Sequence, residues 1–133
     1  MPSCLQPGSG TAAQPPPILV VDDDAELRTM IQWMLEDEGW RVETAGDGRQ
    51  AVEQATRSRP QLVLLDMGLP VLDGDGVAAE LRKLYGESLP IVVITADGHA
   101  AAKARRVGAR GHLSKPFEID ELCTMVQRAL QAP

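Results

Sequence analysis

Leu62-Val63-Leu64-Leu65-Asp66-Met67-Gly68-Leu69-Pro70 (residues 62–70) carries four apolar residues into a carboxylate and then into a Gly/Pro turn. A short apolar run closed by a turn signal predicts a strand buried on both faces. An ionised carboxylate at the end of such a strand is costly unless a cation, a metal or a reaction employs it. The pattern occurs twice more. Ile18-Leu19-Val20-Val21 ends on Asp22-Asp23-Asp24, and Ile91-Val92-Val93-Ile94 ends on Thr95. If the three strands are parallel neighbours, their acidic and hydroxyl groups gather at one carboxyl edge, where open α/β sheets bind ligands.

Outward from these runs, strand and helix patterns alternate. Asp24 is a good N-cap for a helix carrying Leu27, Ile31, Met34 and Leu35, closed by Gly39. Val42-Glu43-Thr44-Ala45 predicts a short strand, and a weak helix follows around Ala51, Val52 and Ala55, ending before Pro60. Asp73-Gly74 opens a helix with Val77, Leu81 and Leu84, and Pro90 opens the strand that ends at Thr95. An alanine-rich helix over 100–107 reaches Gly108, a short strand runs from Gly111 to Ser114, and Lys115-Pro116 follows. The last helix aligns Ile119, Leu122, Cys123, Val126 and Leu130 on one face. Trp33 and Trp40 are expected to pack around the first helix and the second strand. Five β/α units with right-handed crossovers predict a parallel sheet covered by helices on both faces.

The bulk numbers agree with one ordinary domain. A chain of 133 residues, 44% hydrophobic and 24% charged, can bury a core without staples. A net charge of -6 argues against nucleic acid or an anionic membrane as the main partner. Cys4 and Cys123 form no framework; Cys123, on an apolar helix face, reads as a reduced, core-filling thiol. Met1 to Pro17 has no charged residue and holds Pro2, Pro7, Pro15, Pro16 and Pro17, so residues 1–17 are expected to be a disordered leader. It lacks the features of a signal peptide, and no apolar stretch is of transmembrane length, so a cytoplasmic location is expected.

Asp22, Asp23 and Asp66, if they converge, repel one another, so either one pKa rises or a divalent cation neutralises them. Every ligand on offer is a hard oxygen, which favours Mg²⁺, or Mn²⁺, over zinc. Lys115 comes from a further strand end and can pair with the carboxylates and with a phosphoryl oxygen among them. Thr95 offers a hydroxyl to the same oxygen. This set suits phosphoryl transfer, in which positioning and charge neutralisation matter most.

Four motifs in order, Val20-Val21-Asp22-Asp23-Asp24, Leu64-Leu65-Asp66-Met67 through Leu69-Pro70 to Asp73-Gly74, Ile94-Thr95-Ala96 and Ser114-Lys115-Pro116-Phe117, resemble the receiver domain of bacterial response regulators. The resemblance covers residues 18–131. It implies a flavodoxin-like, doubly wound α/β fold, a five-stranded parallel sheet in the order 2-1-3-4-5 with five helices. It implies Asp66 as phosphoacceptor, served by a histidine kinase or a histidine phosphotransfer protein. Asp23, Asp66 and the backbone carbonyl of Gly68 would hold Mg²⁺, with Asp22 on a metal-bound water. Thr95 and Lys115 would bond the phosphoryl oxygens, and Pro116 resembles the family's cis-proline. The chain would catalyse only its own phosphorylation and dephosphorylation, and would act on a downstream protein as a monomer or weak dimer.

Some positions depart from the pattern. The switch that pairs with Thr95 usually places Tyr or Phe three residues before the lysine, where this chain has His112. His112 is either a smaller, pH-sensitive switch or an exposed strand residue that never swings. The segment from Thr95 to Lys115 is short for the family. Lys103, Arg105, Arg106 and Arg110 form a basic patch there, read either as cations near a helix C-terminus or as a docking face. Gly68 and Asp97 lie two residues beyond Asp66 and Thr95, positions that the resemblance implies tune the lifetime of the phosphoryl group. Two rivals stand beside this reading. One is a haloacid dehalogenase-type phosphatase with Asp22 as nucleophile, although Ala25 falls where that motif wants Thr or Val. The other is a receiver-like interaction module that is never phosphorylated. With no output region after Pro133, a stand-alone regulator is expected, working through protein binding or phosphorelay.

Overall fold

Alternation along the apolar runs divides the core in two, because successive strand side chains point to opposite faces of a sheet. Leu19, Val21, Val63, Leu65, Ile91 and Val93 pack on one face with Ala51, Ala55, Val77, Leu81 and Ala104. Ile18, Val20, Leu62, Leu64, Val92 and Ile94 pack on the other with Ile31, Leu35, Leu122 and Val126. The computed structural model describes residues 15–69 and 71–131. Most of the expected leader, Cys4 and Pro70 lie outside the described residues.

The strands are β1 (Ile18–Val21), β2 (Val42–Ala45), β3 (Leu62–Asp66), β4 (Ile91–Thr95) and β5 (Gly111–Ser114). The helices are α1 (Ala25–Asp37), α2 (Gly48–Arg57), α3 (Gly74–Tyr85), α4 (Ala100–Val107) and α5 (Ile119–Gln131). All pairings are parallel, in the order β2-β1-β3-β4-β5. From the residues each buries, α2, α3 and α4 cover one face, and α1 and α5 the other. This is the flavodoxin-like arrangement expected from the sequence. Residues 15–17 lead into the sheet: the Arg41 guanidinium donates to the Pro15 carbonyl, the Gln61 side chain to Pro16, and the Gln61 amide to Pro17. Among the described residues no helix is long and apolar enough to cross a membrane.

The helix starts follow the caps read from sequence. Asp24 accepts from the Glu26 and Leu27 amides, and Asp73 from that of Gly76. Three apolar side chains do not pack as expected: Trp33 is 68% exposed, Ile119 52% and Leu84 41%. Ile119 opens α5, and Leu84 lies in the last turn of α3, where the next residue, Tyr85, packs against the core in its place. Trp33 projects from α1 beside the exposed Met30, whereas Trp40 does pack against the core.

Glycine is required where α3 begins. A Cβ on Gly74 would lie 2.7 Å from the Met67 Cα and 2.6 Å from its sulfur, so α3 starts in direct contact with the backbone that leaves Asp66. Gly74→Ala is expected to cost about 2 kcal/mol through this overpacking. Urea denaturation measures it, and an unchanged midpoint would show that the loop after β3 yields freely.

Candidate functional site

Register brings the predicted residues to one edge. Val21 lies beside Leu65, so Asp22 and Asp66 leave the sheet at the same level on adjacent strands. Asp66 lies beside Ile94, one residue before Thr95, and Thr95 lies beside Ser114, one residue before Lys115. The Lys115 amide donates to the Thr95 carbonyl at 2.9 Å, and the Lys115–Pro116 peptide is cis.

Carboxylate oxygens of Asp22, Asp23 and Asp66 all lie within 4.8 Å of one another. Asp22 and Asp66 are 1% and 6% exposed, while Asp23 faces solvent. Asp22 Oδ1 accepts from the Asp24 amide at 2.9 Å, and Asp66 Oδ1 from the Gly68 amide at 3.1 Å. The Lys115 Nζ sits 2.9 Å from Asp22 Oδ2 and 3.5 Å from Asp66 Oδ2, an ion pair to each. Apart from that ion pair, buried Asp22 Oδ2 has no hydrogen-bond partner among the described residues. A buried oxygen without a donor, in a set of three hard carboxylates, fits a small divalent cation.

Electrostatics at the site are unbalanced without such an ion. Burial pushes the Asp66 carboxyl above its ordinary value; the Gly68 amide opposes the shift, Asp22 reinforces it and Lys115 opposes it. Burial works against the Lys115 ammonium, yet Asp22 and Asp66 outweigh it and raise its pKa. One lysine therefore serves two carboxylates.

Above the carboxylates lies an open cleft of about 330 Å³, lined by Asp66, Gly68, Thr95, Ala96, Asp97, Lys103 and Lys115. Asp22 does not line it. A residue that the sequence placed elsewhere does: Lys103, read as part of a basic patch, reaches back from α4 to pair with Asp97. The signal available was position, since Lys103 lies one turn into the helix that follows β4. Two more members of that patch are engaged as well. Arg106 holds Asp75 through two bonds of 2.9 and 2.8 Å, and Arg110 donates to the Ala129 and Ser88 carbonyls. His112 is exposed on β5, outside the cleft, along a groove that also contains Asp120, Glu121 and Thr124. Cys123 is half-buried, and burial pushes its thiol pKa up.

A family profile described as the response regulator receiver domain matches residues 18–127. The chain belongs to that family. Among its relatives, sporulation initiation phosphotransferase F of Bacillus subtilis is 35% identical over 115 residues, covering 85% of this chain and 92% of the relative. The probable transcriptional regulatory protein TcrX of Mycobacterium tuberculosis is 37% identical over 120 residues, 89% of this chain and 51% of the relative. This receiver thus spans about half of TcrX and nearly all of the phosphotransferase. Among solved structures, the receiver domain of a Pseudomonas aeruginosa sensor histidine kinase superposes with a TM-score of 0.80 at 36% identity, covering 88% of this chain and 98% of that one. That structure has a magnesium ion coordinated in its active site cleft. The dehalogenase-type alternative is set aside: the family is the receiver's, and Asp22 is buried and does not line the cleft.

Proposed function

We propose that this receiver accepts a phosphoryl group on Asp66 in a Mg²⁺-dependent reaction. The supporting observation is that Asp66 alone of the three clustered carboxylates lines the open cleft, with Lys115 and Thr95 around the same space. Asp22, Asp23 and Asp66, with the Gly68 carbonyl, would hold the ion. When bound, Mg²⁺ supplies charge neutralisation for the nucleophile and the transferred group.

The chain's own part is positional. An Asp66 carboxylate oxygen forms a bond to phosphorus while the bond from phosphorus to the donor breaks. With phosphohistidine as donor, the imidazole leaves with the electron pair and takes up a proton. Lys115 and the Thr95 hydroxyl receive the negative oxygens of the transferred group. Hydrolysis of the resulting acyl phosphate ends the signal. The partners fitting this chemistry are a histidine kinase or histidine phosphotransfer protein as donor and a protein as downstream target. Thr95 and His112 are proposed as the residues that report phosphorylation outward.

Intact mass after incubation with acetyl phosphate and Mg²⁺ tests the site. Wild type and Asp22→Asn should differ in rate, whereas Asp66→Asn should gain no phosphoryl mass at all. Labelling that persists in Asp66→Asn would refute the assignment, and an unlabelled wild type would favour a receiver-like module that works without phosphate.

A further inference from the structure

We infer that Lys103 is a second phosphoryl-binding cation, which Asp97 holds in reserve until the phosphoryl group arrives. The inference rests on Asp66 as phosphoacceptor and adds an exchange of partners around it. Two ammonium groups line the cleft, but only one is committed at its floor: Lys115 is paired with Asp22 and Asp66. A phosphoryl group carries about two negative charges and three strong acceptor oxygens. Lys115 is already shared between two carboxylates, and a bound Mg²⁺ would be shared among three, so a further cation in the cleft still has phosphoryl charge to meet.

Lys103 is placed to supply the difference. Its side chain is 23% exposed and its partner is Asp97, in the loop between β4 and α4. That pairing, together with the His99 amide, holds the Asp97 carboxyl down at about 2. Asp97 is nevertheless a single, 44% exposed carboxylate. A more highly charged phosphoryl group in the same cleft is the stronger acceptor for an ammonium. The exchange needs only rotation of a flexible four-carbon stem, because the Lys103 backbone is fixed in α4 by its bond to the His99 carbonyl at 3.0 Å.

The exchange also reaches the helix. Asp97 Oδ1 accepts from the His99 amide at 2.9 Å, at the N-cap of α4, where the His99 side chain makes no capping bond of its own. At the opposite end, Arg82 of α3 donates to the Gly108 carbonyl at 2.8 Å. Freeing Asp97 from Lys103 therefore leaves the carboxylate at the start of α4 held by the His99 amide, while the helix end stays fastened to α3.

Beryllofluoride with Mg²⁺, titrated by calorimetry, mimics the phosphoryl group and tests the exchange. Lys103→Met should weaken binding about fivefold, the scale of one charge-assisted hydrogen bond in a partly exposed site, and Lys103→Arg should recover most of it. Asp97→Asn should tighten binding about threefold in the wild-type background, since Lys103 is then free. It should have no effect in Lys103→Met. A purely structural ion pair predicts instead that both single variants shift binding in the same direction. Unchanged affinity in Lys103→Met, or an equal effect of Asp97→Asn in both backgrounds, overturns the inference. Wild type that neither binds beryllofluoride nor takes phosphoryl mass would instead overturn the assignment of Asp66, which separates the two failures.

Discussion

Lys115→Met is expected to lose about 3 kcal/mol of stability in chelator at mildly alkaline pH, because it leaves two buried carboxylates without their cation. Methionine keeps most of the apolar stem, so packing changes little and the charge effect dominates. The loss should shrink as the pH falls. Asp66 already has a folded-state pKa above its ordinary 3.8, and removing the lysine raises it further. A carboxyl with a raised folded pKa makes the folded state the better proton binder, so stability climbs as the pH drops toward that value. The wild-type lysine gives a second signature. Its raised pKa means that its contribution is full below 10.5 and lost as the pH rises through the folded value. Urea denaturation of both proteins across this range, with chelator and then with Mg²⁺, checks the argument. A deficit independent of pH would mean that the stem, not the charge, carries the effect.

The same charge logic explains why the fold and the floor of the site were legible in the sequence. Strand ends such as Val21-Asp22 and Leu65-Asp66 are local changes from apolar to acidic, and a parallel register converts them directly into neighbours. The caps Asp24 and Asp73 are equally local. Contacts made across a loop were less legible. Lys103 lies six residues from Asp97, and which way a lysine on a short alanine-rich helix points depends on how that helix sits on the sheet. Arg105, Arg106 and Arg110 made Lys103 look like part of one basic patch, whereas Arg106 reaches α3 and Lys103 the cleft. Trp33, as a large aromatic, is expected to pack, yet it lies outside the spacing of Leu27, Ile31, Met34 and Leu35 and is exposed.

Asp66→Asn should abolish phosphoryl uptake and, in chelator, make the protein more stable than wild type by about 1 kcal/mol. The gain follows from removing one of three negative charges whose oxygens lie within 4.8 Å. At that spacing and an effective dielectric of about 20, repulsion is worth a few kcal/mol, of which the lost attraction to Lys115 cancels a large part. The asparagine oxygen still accepts from the Gly68 amide, so the turn after β3 is kept. Mg²⁺ should reverse the order of stability. At a hundred times its dissociation constant the ion stabilises wild type by about 2.7 kcal/mol, and Asp66→Asn, short of one carboxylate, should gain far less at the same concentration. Melting curves for the two proteins should therefore cross as Mg²⁺ is added. Curves that stay parallel, with wild type below its variant throughout, would mean that Asp66 does not help to hold the ion.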